Sequence, residues 1–314
     1  YTNNWDNLQP GRCRYGFMLG EDGMVMDDGV TTCLAPGHYL MTTTTGGAAA
    51  VMAWMERWLQ TEWPHLKVYL TSVTDQWSVM SVAGPHSRTV LKAAGCDLDL
   101  DTLAFPFMSM QVGHVAGIPA RVSRISFSGE LAFEISVDAN QGLALWEAVM
   151  RAGRDFDITA YGTEAMHVLR AEKGYVIVGQ DTDGSVTPVD LGMDWIVSKR
   201  KDFIGRRSLG RPDTERPNRK QLVGLKTADP ARVLPEGAQL VNGPQEERPV
   251  PMIGHVSSSY YSVNMGRSIA LALVKGGRSR MGGTIYAHLM DGSVVPATIC
   301  EPLFFDPENQ RTKS

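Results

Sequence analysis

The sequence predicts an α+β protein with a final all-β module, and three observations indicate this. Hairpin patterns with Asp-Gly or Ser-Gly turns alternate with amphipathic helical stretches up to residue 205. A basic stretch with two prolines covers residues 199–220. Beyond it, short strand patterns recur between turns, which is typical of a barrel or jelly-roll-like domain. We therefore expect α+β domains at 1–75 and 76–205, a basic linker at 206–220 and a β-barrel domain at 221–314.

The first predicted domain contains strands and one helix. A hairpin with strands 15–19 and 24–26 surrounds the turn Asp22-Gly23, because Asp-Gly pairs favour tight turns between strands. Apolar residues repeat at helical spacing over 48–59, after the helix-breaking Gly46-Gly47. Alternating and β-branched residues predict two more strands, at 38–42 and 67–73.

The second predicted domain repeats this mixture. A hairpin is expected from 121–127 and 133–137, which flank the turn Ser128-Gly129-Glu130. A strand is expected at 77–82, and helices are expected at 87–94, 141–152 and 163–173. Thr163 is a suitable N-cap for the last helix. The barrel strands are expected at 221–226, 239–241, 252–257, 268–274, 284–288 and 294–300.

Composition limits the classes of function. The net charge is −4 and the sequence pI is about 6.0, which argues against broad binding of nucleic acids or anionic membranes. No apolar run is long enough to cross a bilayer. The four cysteines form no CxxC pair, so we expect no zinc site, no disulfide framework and a reducing, cytoplasmic setting. No GxGxxG motif offers a site for a flavin or nicotinamide nucleotide.

Residues 161–174, which read YGTEAMHVLRAEKG, carry the most specific signal. Without its context, Glu172 would be interpreted as an ordinary solvated helix residue, and this is the alternative. Other blocks accompany it in order: DGMVMDD at 22–28, SGE at 128–130 and DFIG at 202–205. In this combination the chain resembles the aminomethyltransferase (glycine-cleavage T-protein) family over nearly its whole length.

The resemblance implies a tetrahydrofolate site. It implies that Glu172 binds the pterin ring, because one carboxylate can accept both N–H donors on the ring edge. It assigns the catalytic carboxylate to Asp28, although Asp27-Asp28-Gly29 alone reads as a turn. Thr44 is expected near the folate. The alternative is that Thr44 is an ordinary strand residue. Glu130 is expected there too, with a bond to its own turn as the alternative.

The resemblance also gives the basic stretch a role. Arg200 and Lys201 are expected near the glutamate tail of folate, and residues 199–220 could attract longer polyglutamyl tails. A solvated linker is the alternative. Tyr175 and Trp195 could flank an aromatic ligand ring, although core packing is the commoner role for such residues. No histidine has a second ligand at suitable spacing, so no metal is expected.

Departures from the glycine-cleavage enzyme indicate a sister group. Thr44 replaces its usual asparagine, and SVNMG at 262–266 replaces its S-P-T-L-G. Residues 42–48, 61–64 and 68–75 instead resemble the folate domain of the α subunit of heterotetrameric sarcosine oxidase. Because Tyr1 is no initiator methionine and the family's N-terminal segment has no counterpart here, we expect the chain to be part of a longer polypeptide.

This second resemblance implies a specific reaction. The domain is expected to capture the imine made from sarcosine as 5,10-methylenetetrahydrofolate, with release of glycine. FMN or FAD and NAD are expected on partner subunits of the hetero-oligomer or on the rest of the polypeptide. Two alternatives remain open: a stand-alone folate-dependent aminomethyltransferase or demethylase, and a folate carrier or assembly domain without catalysis.

Overall fold

Two antiparallel sheets and a closed barrel hold the strands in this computed structural model, which describes residues 1–244 and 249–314. The first sheet has the order β1-β2-β3, with β1 at Cys13–Leu19, β2 at Val25–Ala35 and β3 at His38–Met41. Gly23 lies in the β1–β2 turn at a φ of +86°, which favours glycine. Helix α1, Ala48–Thr61, follows as predicted.

The predicted strand at 67–73 is wrong. These residues have no strand partner among the described residues, and the Tyr69 side chain is 92% exposed. Val68 and Tyr69 supply β-propensity, but a strand forms only when a neighbour accepts and donates its backbone hydrogen bonds. The sequence pattern cannot provide that neighbour.

The second sheet has the order β4-β7-β6-β5. Its strands are β4 at Trp77–Ala83, β5 at Ser109–Val115, β6 at Ile118–Arg124 and β7 at Ala132–Asp138. Strand β5 was not predicted. Helices α2, Ser87–Ala93, and α3, Gly142–Ala152, cover one face of the sheet, where Leu91, Phe105, Phe133 and Leu145 are fully buried in one cluster.

Helix α4, Thr163–Glu172, joins this sheet to the rest of the protein, and the short helix α5, Arg206–Leu209, follows. The barrel has the order β10-β11-β8-β13-β12-β9. Its strands are β8 at Lys220–Thr227, β9 at Gln239–Val241, β10 at Gly254–Ser262, β11 at Arg267–Lys275, β12 at Thr284–His288 and β13 at Val294–Cys300. The last element is α6, Gln310–Lys313. The predicted α+β fold with a C-terminal barrel is confirmed.

A buried ionic network fixes the C-terminal half of α4 on the barrel. Arg170 is fully buried and forms an ion pair with Asp181, which is also fully buried. Arg170 donates to Ser258 Oγ at 2.6 Å, and Asp181 accepts from the hydroxyls of Ser257 at 2.6 Å and Ser258 at 2.7 Å. Since both charges are paired and hydrogen-bonded, the network holds the end of α4 in place.

The predicted linker is more ordered than a solvated connection. Helix α5 forms the start of the linker. Near the end of the linker, Arg219 is buried and donates to Asp190 Oδ2 at 2.8 Å. None of the helices in the described part of the chain combines the length and apolar character needed to cross a bilayer.

Candidate functional site

Glu172 ends α4 and is 2% exposed, so the alternative of an ordinary solvated helix residue is wrong. Its Oε1 accepts a hydrogen bond from Ser262 Oγ at 2.6 Å, and its Oε2 accepts one from Asn264 Nδ2 at 2.8 Å. Both donors lie at the β10–β11 turn of the barrel. Each carboxylate oxygen therefore has one donor and keeps the capacity for a second.

The backbone around Glu172 is also fixed. Its carbonyl accepts the N–H groups of Phe304 at 2.9 Å and Phe305 at 3.0 Å. Gly174 has a φ of +66°, and a Cβ at that position would lie 2.5 Å from the carbonyl oxygen of Pro302. Only glycine fits this turn. The C-terminal segment and the barrel turn together orient the carboxylate.

Asp28 lies on β2 opposite Phe17 of β1. Side chains two residues apart share one face of a sheet, so Tyr15 and Phe17 flank Asp28 on that face. The Tyr15 hydroxyl donates to Asp28 Oδ2 at 2.6 Å. Burial raises the pKa of Asp28 to about 6, the Tyr15 hydrogen bond offsets part of this rise, and the Asp27 charge adds to it.

Asp27 has a structural role beside it. This residue is 3% exposed and accepts the backbone N–H groups of Asp28 at 2.8 Å and Thr44 at 3.0 Å. It also accepts the Thr44 hydroxyl at 2.8 Å. The hydroxyl proton of Thr44 is therefore committed to Asp27, and only its oxygen can accept a bond from a ligand.

One hydrophobic cluster connects the two carboxylates. Phe17, which pairs with Asp28, and Ala171, which precedes Glu172, are both buried in it. Tyr15 packs against the same cluster. The first sheet and α4 thus place a half-buried carboxylate and a buried one around a shared apolar core.

The other predicted site residues have partners of their own. Glu130 forms an ion pair with Arg311 of α6. Lys201 donates to the carbonyl oxygens of Tyr1 at 2.9 Å and Asn3 at 3.0 Å, and burial lowers its pKa. Arg200 is exposed. The structure therefore leaves Arg200 accessible to a ligand, whereas Glu130 and Lys201 already make intramolecular contacts.

The two aromatic candidates differ. Tyr175 stacks on Phe127, with ring centroids 6.3 Å apart and an angle of 19° between the ring planes. Trp195 is 71% exposed, so its predicted core packing is wrong. Within residues 1–244 and 249–314, no group of three or more His, Cys, Asp or Glu side chains could hold a metal ion.

Three side chains around the carboxylates had no predicted role: Tyr15, Ser262 and Asn264. For Ser262 and Asn264, the available signal was the change from S-P-T-L-G to SVNMG at 262–266, which places an asparagine in this loop. A partnership between α4 and a barrel turn 90 residues later cannot be read from local pattern.

This arrangement suits a ligand with paired N–H donors and a reaction with a proton transfer. A buried, oriented carboxylate accepts donors more strongly than a solvated one. A carboxylate with a pKa of about 6 is mostly ionised near neutral pH and can still accept a proton. The residues present therefore fit the pterin of tetrahydrofolate at Glu172 and proton transfer at Asp28.

Comparisons with known proteins give a consistent result. The family models for the GCVT N-terminal domain and the glycine cleavage T-protein C-terminal barrel domain match residues 1–201 and 220–306. The chain is 53% identical to the sarcosine oxidase subunit alpha of Corynebacterium sp. (strain P-1), over 99% of this chain and 32% of that protein. It thus spans about a third of the length of that relative.

More distant relatives are shorter. The chain is 31% identical to the aminomethyltransferase of Geobacillus kaustophilus, over 94% of this chain and 79% of that protein. The crystal structure of the glycine cleavage system aminomethyltransferase T from Bartonella henselae has the same fold, with a TM-score of 0.80 at 23% identity, over 95% of this chain and 77% of that one. On its two matching domains and its fold, the chain belongs to the glycine-cleavage T-protein family.

Proposed function

We propose that this chain binds tetrahydrofolate as the aminomethyltransferase-like part of a sarcosine oxidase α subunit. It captures the imine from sarcosine oxidation, and the products are 5,10-methylenetetrahydrofolate and glycine. The observation that carries this proposal is Glu172, a buried carboxylate with both oxygens oriented by donors from the barrel. The similarity to sarcosine oxidase α subunits supports the choice of reaction.

Glu172 supplies recognition. The pterin edge presents a ring N–H and an exocyclic amino group side by side, and a carboxylate meets both at once. The hydrogen bonds to the Glu172 side chain and carbonyl reduce the conformational entropy lost when the ligand binds, because the acceptor is already in place. Its role is to bind and orient the substrate.

Asp28 supplies the charge and the proton acceptor. The imine carbon forms bonds to two folate nitrogens, and its bond to the glycine nitrogen breaks. Two protons leave the folate nitrogens and end on the glycine nitrogen. A fixed carboxylate beside the cationic imine stabilises it and can relay a proton. The Tyr15 hydroxyl keeps Asp28 in place and favours its ionised form.

The oxidation step belongs elsewhere in the assembly. The sequence contains no GxGxxG motif, so we assign the flavin and NAD to partner subunits or to other parts of the polypeptide. The division into domains at 1–75, 76–205 and 221–314 is part of the same proposal. The imine must then reach this domain without loss to water, where it would hydrolyse to formaldehyde.

The exposed cations near α5 are proposed to attract polyglutamyl tails. Arg200, Arg207 and Arg211 are exposed, whereas Arg206 donates to backbone carbonyls and is structural. The Arg207→Glu/Arg211→Glu variant should weaken polyglutamyl tetrahydrofolate more than the monoglutamate. Equal effects on the two ligands would exclude the tail site.

The partition of products tests the function. The full-length protein is supplied with sarcosine and tetrahydrofolate, and formaldehyde and 5,10-methylenetetrahydrofolate are measured separately. Asp28→Asn should keep tetrahydrofolate affinity within about threefold, because the pterin contact is made by Glu172, yet shift the product to formaldehyde. An unchanged partition would favour a carrier without catalysis. Loss of sarcosine oxidation itself would indicate damage beyond this domain.

A further inference from the structure

Glu172 is almost inaccessible, although it is the proposed acceptor for two N–H donors. It is 2% exposed, and its two side-chain partners differ in their own exposure. Ser262 is fully buried, whereas Asn264 is exposed on the turn between β10 and β11. Access to the carboxylate from the solvent side therefore depends on Asn264.

Ser262 is a fixed partner. Its hydroxyl oxygen accepts the Met265 N–H at 3.0 Å, and its proton goes to Glu172 Oε1 at 2.6 Å. Both functions of the hydroxyl are used inside the protein. Its removal from Glu172 would leave buried polar atoms without partners, which is costly.

Asn264 is an exchangeable partner. Its amide donates to Glu172 Oε2 at 2.8 Å, but the residue lies on a short turn next to Val263, which is 84% exposed. An exposed amide that leaves the carboxylate can bind water instead, so its departure costs only the net strength of one hydrogen bond. Like the exocyclic amino N–H of a pterin, the amide N–H is a neutral hydrogen-bond donor that a carboxylate can accept.

We propose that Asn264 is a positioning residue that stands in for the ligand. Its amide holds Glu172 in the ligand-free protein, and the exocyclic amino group of the pterin displaces it. This inference rests on the proposed function, and it adds that Oε2 is the oxygen that receives the exocyclic donor. Asn264 thereby gives Oε2 of the buried carboxylate a partner in the ligand-free protein.

Calorimetric titration of the full-length protein tests this inference. Asn264→Ala should bind tetrahydrofolate roughly threefold to tenfold more tightly, since no amide has to be displaced. The 2-desamino analogue of tetrahydrofolate lacks the competing donor, so its affinity should be the same in wild type and variant. The ligand-free Asn264→Ala protein should melt at a lower temperature than wild type. Val263→Ala, on the same turn, should change neither property.

The outcomes are distinct. Weaker tetrahydrofolate binding by Asn264→Ala would show that Asn264 remains in the complex, and unchanged binding would show that it does not compete. If Asn264→Ala raises the affinity for tetrahydrofolate and for its 2-desamino analogue by the same factor, Oε2 does not receive the exocyclic donor. Each result overturns the inference while the proposed function stands. If wild type binds no tetrahydrofolate, the proposed function and the inference both fail.

Discussion

Asp28 should destabilise the folded protein when it is ionised. Burial raises its pKa from 3.8 to about 6, with part of the rise offset by Tyr15. Since one pKa unit corresponds to about 1.36 kcal/mol, ionisation of Asp28 costs the folded state about 3 kcal/mol relative to the unfolded chain. The folded protein binds more protons than the unfolded one between these two pKa values. This contribution to stability is therefore complete below pH 3.8 and is lost as the pH rises through about 6.

The Asp28→Asn variant removes this cost, because the amide oxygen still accepts the Tyr15 hydroxyl but carries no charge. At pH 8 we expect the variant to be more stable than wild type by about 2–3 kcal/mol, which corresponds to a rise in Tm of roughly 3–5 °C. Near pH 4 the gain should vanish, because wild-type Asp28 is then protonated. Scanning calorimetry at both pH values measures this.

The neighbouring Asp27→Asn variant is the matched control. Asp27 accepts three hydrogen bonds and is 3% exposed, so removal of its charge should lower the Tm at pH 8. The structure therefore predicts that, at pH 8, Asp28→Asn raises the Tm and Asp27→Asn lowers it. A loss of stability in Asp28→Asn at pH 8, or an equal gain at pH 4, would show that ionised Asp28 does not destabilise the folded protein.

Two further predictions concern side chains that orient the site. Tyr15→Phe removes the hydrogen bond that lowers the pKa of Asp28, so the acid limb of the pH profile for methylene transfer should move up by about one pH unit; a profile that stays in place contradicts this role. Arg170→Met leaves Asp181 buried without its cation and should cost about 3–5 kcal/mol in denaturant unfolding. The double variant Arg170→Met/Asp181→Leu should recover part of that loss, because the buried charge is gone but Ser257 and Ser258 lose their acceptor. A double variant as unstable as the single one would contradict the pairing.

Local pattern predicted the fold where it contained a complete signal. The Asp22-Gly23 turn with strands on both sides indicated the first hairpin, and the barrel strands followed from their turns and spacing. Pattern failed where the outcome depended on a distant partner. Residues 67–73 have strand propensity but no neighbour to pair with in the described structure, and β5, Ser109–Val115, was missed.

The candidate site shows the same division. Asp28 and Glu172 were selected from sequence blocks typical of the family. Their environments required the structure, because burial of Glu172 and its bonds to Ser262 and Asn264 join residues that are 90 and 92 positions apart. Long-range contacts of this kind set the electrostatics of a carboxylate, and a local sequence window does not contain them.

The proposed function depends on contact between Glu172 and the pterin of tetrahydrofolate. Its most direct test is calorimetric titration of wild type, Glu172→Gln and Glu164→Gln with tetrahydrofolate. Glu164 is an exposed glutamate in the first turn of the same helix, which makes it a matched control. Glu172→Gln replaces one acceptor oxygen with a donor, so we expect at least about a tenfold loss of affinity, with Glu164→Gln unchanged. Wild-type affinity in a folded Glu172→Gln protein would show that Glu172 does not hold the pterin.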